Sequence, residues 1–121
     1  MKKLIISLLL VLVAGWFHSC EEEATFDETL LYGRWRPEKG TKLYFRYDSS
    51  YEGVTWNPDA DQQESEGQKF TWKLVRSNLS QIHLMEIGDG KIPKNYTVTK
   101  LTATTLNYKD RFSSYSFSRI D

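Results

Sequence analysis

Leu31-Tyr32-Gly33-Arg34-Trp35-Arg36 is the stretch on which the reading of this chain turns. Gly33 and Trp35 share one face of an extended segment and Arg34 and Arg36 share the other, the period of two that marks a half-buried strand. Just upstream, Asp27 is placed as the N-cap of one or two helical turns. Phe26 and Leu31 flank it as a hydrophobic staple would require. Gly33 ends that helix or opens the strand.

The alternation then runs on to the C-terminus. Thr41 to Tyr47 sets Leu43, Phe45 and Tyr47 against Tyr44 and Arg46, Asp48-Ser49-Ser50 turns the chain, and Tyr51 to Trp56 returns. Asn57 to Gly67, rich in Asp, Gln, Glu and Ser, reads as a long solvated hairpin loop. Phe70, Trp72 and Leu74 alternate with Lys69, Thr71 and Lys73. After a turn at Ser77-Asn78, the strand from Leu79 to Ile87 is expected to point Ile82 and Leu84 inward and His83 and Met85 to solvent. Gly88-Asp89-Gly90 is a hairpin signal, because both residue types tolerate positive φ. Tyr96 and Val98 carry the next strand, and Leu106 and Tyr108 follow a turn near Thr102-Ala103. On the last, Tyr115, Phe117 and Arg119 alternate with Ser114, Ser116 and Ser118.

These segments make about eight strands with short connections, hence an all-β antiparallel fold that is either an up-and-down barrel or a two-sheet sandwich. Closure removes the exposed edges that invite aggregation, so the barrel is preferred. Its inward set is Trp35, Phe45, Tyr47, Phe70, Trp72, Tyr96, Tyr108, Tyr115 and Phe117. Trp35 plugs one end, and Arg119 closes over it.

Composition agrees. Hydrophobic residues at 40% and charged residues at 26% are those of a folded domain, and the 14% of aromatic residues sit inside the strand-like runs. Without Lys2 and Lys3 the body is slightly acidic and carries no basic stripe, which argues against a nucleic-acid partner.

Lys2-Lys3 followed by the apolar run Leu4 to Phe17 fits a signal peptide and is shorter than the ~20 residues of a spanning helix. Cys20, the only cysteine, follows directly after Ser19. This arrangement resembles the lipobox of bacterial lipoproteins, which implies acylation of Cys20 and a membrane anchor; the alternative is a plain secretory signal that leaves a free thiol. Glu21-Glu22-Glu23 resembles the acidic export signal of surface-exposed Bacteroidetes lipoproteins, the alternative being a solvated linker. The expected organisation is a signal peptide over 1–19, a lipidated cysteine and acidic tether over 20–26, and the barrel over 27–121. The expected location is the outer membrane, facing outward, the alternative being its periplasmic face.

Gly33-Arg34-Trp35 after a short helical turn resembles the lipocalin signature, and the chain from Leu31 is similar to small lipocalin-like lipoproteins of Bacteroidetes. Phe70-Thr71-Trp72, Tyr96 to Leu101 and the aromatic-x-Arg end at Phe117 and Arg119 share in that resemblance. It implies that Gly33, Trp35 and Arg119 close one barrel end, with a guanidinium over an indole as a cation–π contact. The chain lacks the disulfide and long C-terminal helix of lipocalins, which argues against a large ligand.

Chemistry is sparse. His83 is the only histidine once His18 is removed, so neither a metal site nor a catalytic arrangement is expected, and no cofactor. Asp59, Asp61, Glu64 and Glu66 crowd one loop without EF-hand spacing and read as solvated. Asn78-Leu79-Ser80 and Asn95-Tyr96-Thr97 match glycosylation sequons by chance. The expectation is a monomeric binding module rather than an enzyme, taking a small hydrophobic or aromatic ligand or a glycan fragment, with Tyr47, Trp72 and Tyr108 at its mouth. The alternative is a filled barrel that docks an outer-membrane protein through exposed residues such as Arg34 or Tyr44.

Overall fold

Because Tyr115, Phe117 and Arg119 point to one side of the last strand and Gly33 and Trp35 to one side of the first, the two can pair with their apolar faces on a common interior. They do so in the computed structural model, which describes residues 24–85 and 90–121. The strands are β1 (Gly33–Lys39), β2 (Tyr44–Tyr47), β3 (Glu52–Trp56), β4 (Gln68–Val75), β5 (Asn78–Leu84), β6 (Lys91–Leu101), β7 (Thr105–Lys109) and β8 (Ser114–Arg119). Each pairs antiparallel with its sequence neighbour, and β8 returns to β1, so the sheet is a closed up-and-down barrel. The sandwich alternative is thereby excluded.

Register follows the burial pattern. Trp35 lies across from Phe45 on β2 and Arg119 on β8, and Phe70 lies across from Gly53. Gly53 lets the Phe70 ring approach: a Cβ there would collide with that ring and with the Arg46 carbonyl. The β1–β8 register shifts between Pro37 and Lys39, a bulge where proline's missing N–H costs the ladder least. All nine rings expected inside are buried or half-buried there, joined by Leu31, Leu74, Leu79, Val98, Leu101 and Leu106.

The N-terminal helical element is the shortest form of the one or two turns expected. It is a single 3-10 turn, Glu28–Leu30, with the Asp27 carboxylate accepting from the Thr29 N–H. Phe26, assigned to the tether, packs against the core. The solvated loop after β3 contains two further 3-10 turns, Pro58–Ala60 and Glu64–Glu66. It folds back on the outer wall, where Glu64 pairs with Arg34 at 2.7 Å and Arg46 at 3.4 Å. The signal peptide, Cys20, Glu21-Glu22-Glu23 and the hairpin signal at Gly88-Asp89 lie outside the described residues.

One face was read the wrong way round. His83 is 3% exposed and points into the barrel, whereas Ile82 and Leu84 are 40% and 37% exposed on the outside. Leu79 decides this. It is fully buried between Leu74 on β4 and Tyr96 on β6, and counting in twos from it places Gln81 and His83 inside.

Candidate functional site

The two barrel ends differ in chemistry. At the plugged end the Arg119 guanidinium carbon lies 4.4 Å from the Trp35 ring centroid. Its N–H groups donate to the carbonyls of Ala103 (2.7 Å), Tyr32, Asp121 (3.2 Å) and Leu30. The Trp35 indole donates to the Leu31 carbonyl at 2.9 Å. One side chain thus ties the 3-10 turn, the β6–β7 turn and the C-terminus across the plug. Gly33 adopts φ +120°, and a Cβ there would stand 2.5 Å from Arg119 Nη1, so glycine is required both for its conformation and for the approach.

Above the plug runs a polar thread. Gln81, fully buried, donates from Nε2 to the Tyr47 hydroxyl at 2.9 Å and accepts at Oε1 from His83 Nε2 at 2.7 Å. Tyr47 and Tyr108 are both buried in this layer, 1% and 2% exposed. Burial drives both phenols upward in pKa, so they act as neutral donors and acceptors. The His83 imidazole stacks on Phe70 at 5.1 Å. Burial first, and the charge of Lys94 second, push it down to about 4, so it is neutral at pH 7.

The opposite end opens into a cavity of about 130 Å³. Phe45, Tyr96, Tyr108, Tyr115 and Leu43 give it ring faces and an apolar floor, and Thr41, Thr55, Gln68, His83 and Lys94 give it polar atoms. Burial raises the Tyr96 phenol to about 12. Of the three residues expected at a mouth, Tyr108 alone lines this cavity. Tyr47 lies below it in the core, 1% exposed. Trp72 sits toward the plugged end against Tyr32 and Tyr51, its indole donating to the Glu52 carbonyl at 3.0 Å. It borders a shallow groove there with Glu28, Lys73 and Leu74.

Sequence reasoning missed His83, Gln68 and Lys94 as mouth residues. The signal was present for two of them: His83 is in phase with Leu79, and Lys94 is in phase with Tyr96 and Val98. Among the described residues no group of three or more His, Cys, Asp or Glu gathers to hold a metal ion. Glu64 of the acidic loop is engaged by arginines instead.

No protein-family model and no curated protein matches the sequence. A solved structure does: the crystal structure of a lipocalin-like protein from Bacteroides uniformis ATCC 8492 is 17% identical, with a TM-score of 0.54 over 74% of this chain and 97% of that one. Eight antiparallel strands in sequential order, closed on themselves behind a short N-terminal turn, give this chain the lipocalin-like fold.

Proposed function

We propose that this protein is a membrane-anchored lipoprotein that binds one small ligand in the mouth of its barrel, without cofactor and without catalysing a reaction. The observation that carries the reading is the mouth cavity, bounded by rings and by polar side chains. Its volume is close to the roughly 150 Å³ that admits a benzene molecule in an engineered protein cavity, so it suits a ligand of single-ring size, an aromatic compound or a monosaccharide fragment. Large ligands are disfavoured, because the lumen below is filled by Phe45, Tyr47, Phe70 and Phe117 in mutual ring contact.

Anchoring rests on Cys20 and its context. Among the described residues no helix is long and apolar enough to cross a membrane. The chain enters the barrel at the plugged end, where Leu30 and Tyr32 meet Arg119. A tether from Cys20 to Phe26 reaches at most roughly 25 Å when extended. A lipid on Cys20 would therefore hold the plug toward the outer membrane and leave the mouth facing away from it. With Glu21-Glu22-Glu23 as an export signal, the monomer would sit on the cell surface.

A second reading, a filled barrel that docks an outer-membrane protein, is favoured by the apolar outer wall at Ile82, Leu84 and Met85, each between 37% and 44% exposed. Native mass spectrometry of the full chain released from its own membranes separates the two. A small molecule retained in the folded state and lost on denaturation is the expected result. An apo barrel that copurifies with a membrane protein would replace the first reading by the second.

A further inference from the structure

The mouth has a charge asymmetry that selects among ligands of single-ring size. Among the described residues no Asp or Glu contributes to its lining, whereas Lys94 does. The position of Lys94 is set by register. It lies across from Gln81 on β5, and both stand in phase with the inward residues Tyr96 and His83. Among the described residues Lys94 makes no ion pair.

Asp110, which is hydrogen-bonded to the lining residue Tyr115, is already occupied. It accepts from the N–H groups of Phe112 and Ser113, each at 2.8 Å, and from the Tyr115 hydroxyl at 3.3 Å. Lys94 is exposed at the rim of the ring-lined cavity, and an ammonium there with no ion-pair partner among the described residues is available to donate charge-assisted hydrogen bonds to an anion. Thr55 and Tyr115 already donate their hydroxyl protons, to the Tyr44 carbonyl and to Asp110, but the hydroxyls of Thr41 and Tyr96 can still donate to an acceptor on the ligand.

We infer that the mouth is a receptor for a single-ring aromatic carboxylate, its ring against Phe45, Tyr96, Tyr108 and Tyr115 and its carboxylate paired with Lys94. This rests on the reading of the mouth as a ligand site and names the class of ligand. Lys94 is a binding residue here, with no covalent step.

Equilibrium dialysis of the full chain in mild detergent, with labelled benzoate and its neutral isostere benzamide as probes, tests it. Benzoate is expected to bind roughly tenfold more tightly than benzamide, as one charge-assisted hydrogen bond warrants. Lys94→Met should remove that preference while leaving benzamide binding in place. Lys69→Met, which alters an exposed lysine on the outer wall of β4, should leave both affinities unchanged and controls for bulk charge. Equal binding of the two probes by the unmodified protein, or an undiminished preference in Lys94→Met, would overturn the carboxylate assignment while the ligand site itself stands. If neither probe binds at millimolar concentration, while the melting curve shows an intact fold, the ligand-site reading falls with it.

Discussion

Trp35 and Arg119 are direct partners across the β1–β8 seam, and the guanidinium of one covers the indole of the other at 4.4 Å. The seam that closes the barrel is therefore also the place where its plug is sealed. Strand closure and end capping are one event, because Arg119 supplies the ring contact and saturates four backbone carbonyls from three different segments.

Trp35→Ala should destabilise the fold by about 3–5 kcal/mol, the range for a large buried aromatic side chain. Arg119→Ala should cost about 2–4 kcal/mol, because it leaves carbonyls at the plug without donors. A double-mutant cycle by denaturant unfolding should show coupling of about 1–2 kcal/mol. Arg119→Lys should recover little, since an ammonium cannot donate in a planar fork to several carbonyls. Arg34→Ala offers a contrast: its pairs with Glu64 and Asp121 are more than a quarter exposed on both sides, so it should cost under about 1 kcal/mol and be weakened by salt. Additive losses at Trp35 and Arg119 would show that the ring contact contributes nothing.

Gln81→Leu replaces a fully buried amide by an apolar side chain of similar size, yet it should destabilise the barrel by about 1–3 kcal/mol. The loss comes from stranding the Tyr47 hydroxyl and the His83 Nε2 in the interior. Adding Tyr47→Phe and His83→Leu should restore much of the stability, because removing both partners of a buried hydrogen bond is far less costly than removing one. Chemical denaturation of the single and triple variants decides it. A neutral Gln81→Leu would mean that the thread is not needed.

Acid should weaken the fold through His83 before it does so through the carboxylates. The folded imidazole titrates at about 4, against 6.5 when free, chiefly because burial disfavours its charged form. Its contribution is therefore complete above pH 6.5 and is lost as pH falls through 4, amounting to about 3 kcal/mol between pH 7 and pH 4. Lys94 stands in the same mouth, and its positive charge opposes protonation of the ring throughout. The carboxylates of Glu64, Asp110 and Asp121, held below their usual values, contribute the same sign of dependence only below about pH 4.5. Unfolding free energies measured from pH 7 to pH 4 should fall steadily, and His83→Gln should flatten the curve above pH 4.5. An unchanged slope in that variant would place the proton elsewhere.

Much of this molecule was legible in its sequence. Gly33-Arg34-Trp35 and the alternation of Tyr115, Phe117 and Arg119 are local patterns, and a period of two needs no knowledge of the rest of the chain to assign a face. They led to eight strands, to a barrel, to nine inward rings and to the Trp35–Arg119 pairing. The misreading came at β5, where Leu79-Ser80-Gln81-Ile82-His83-Leu84 carries apolar residues in both phases. Hydrophobicity alone favours Ile82 and Leu84, and only pairing of Leu79 with Leu74 and Tyr96 resolves the choice. That resolution turned His83 inward, set Lys94 over the cavity and left Tyr47 and Trp72 below the opening. Which residues point inward on one strand is mostly a matter of local pattern. How deep each one lies, and which end of the barrel it faces, depends on strand stagger, and stagger exists only once all eight strands have closed.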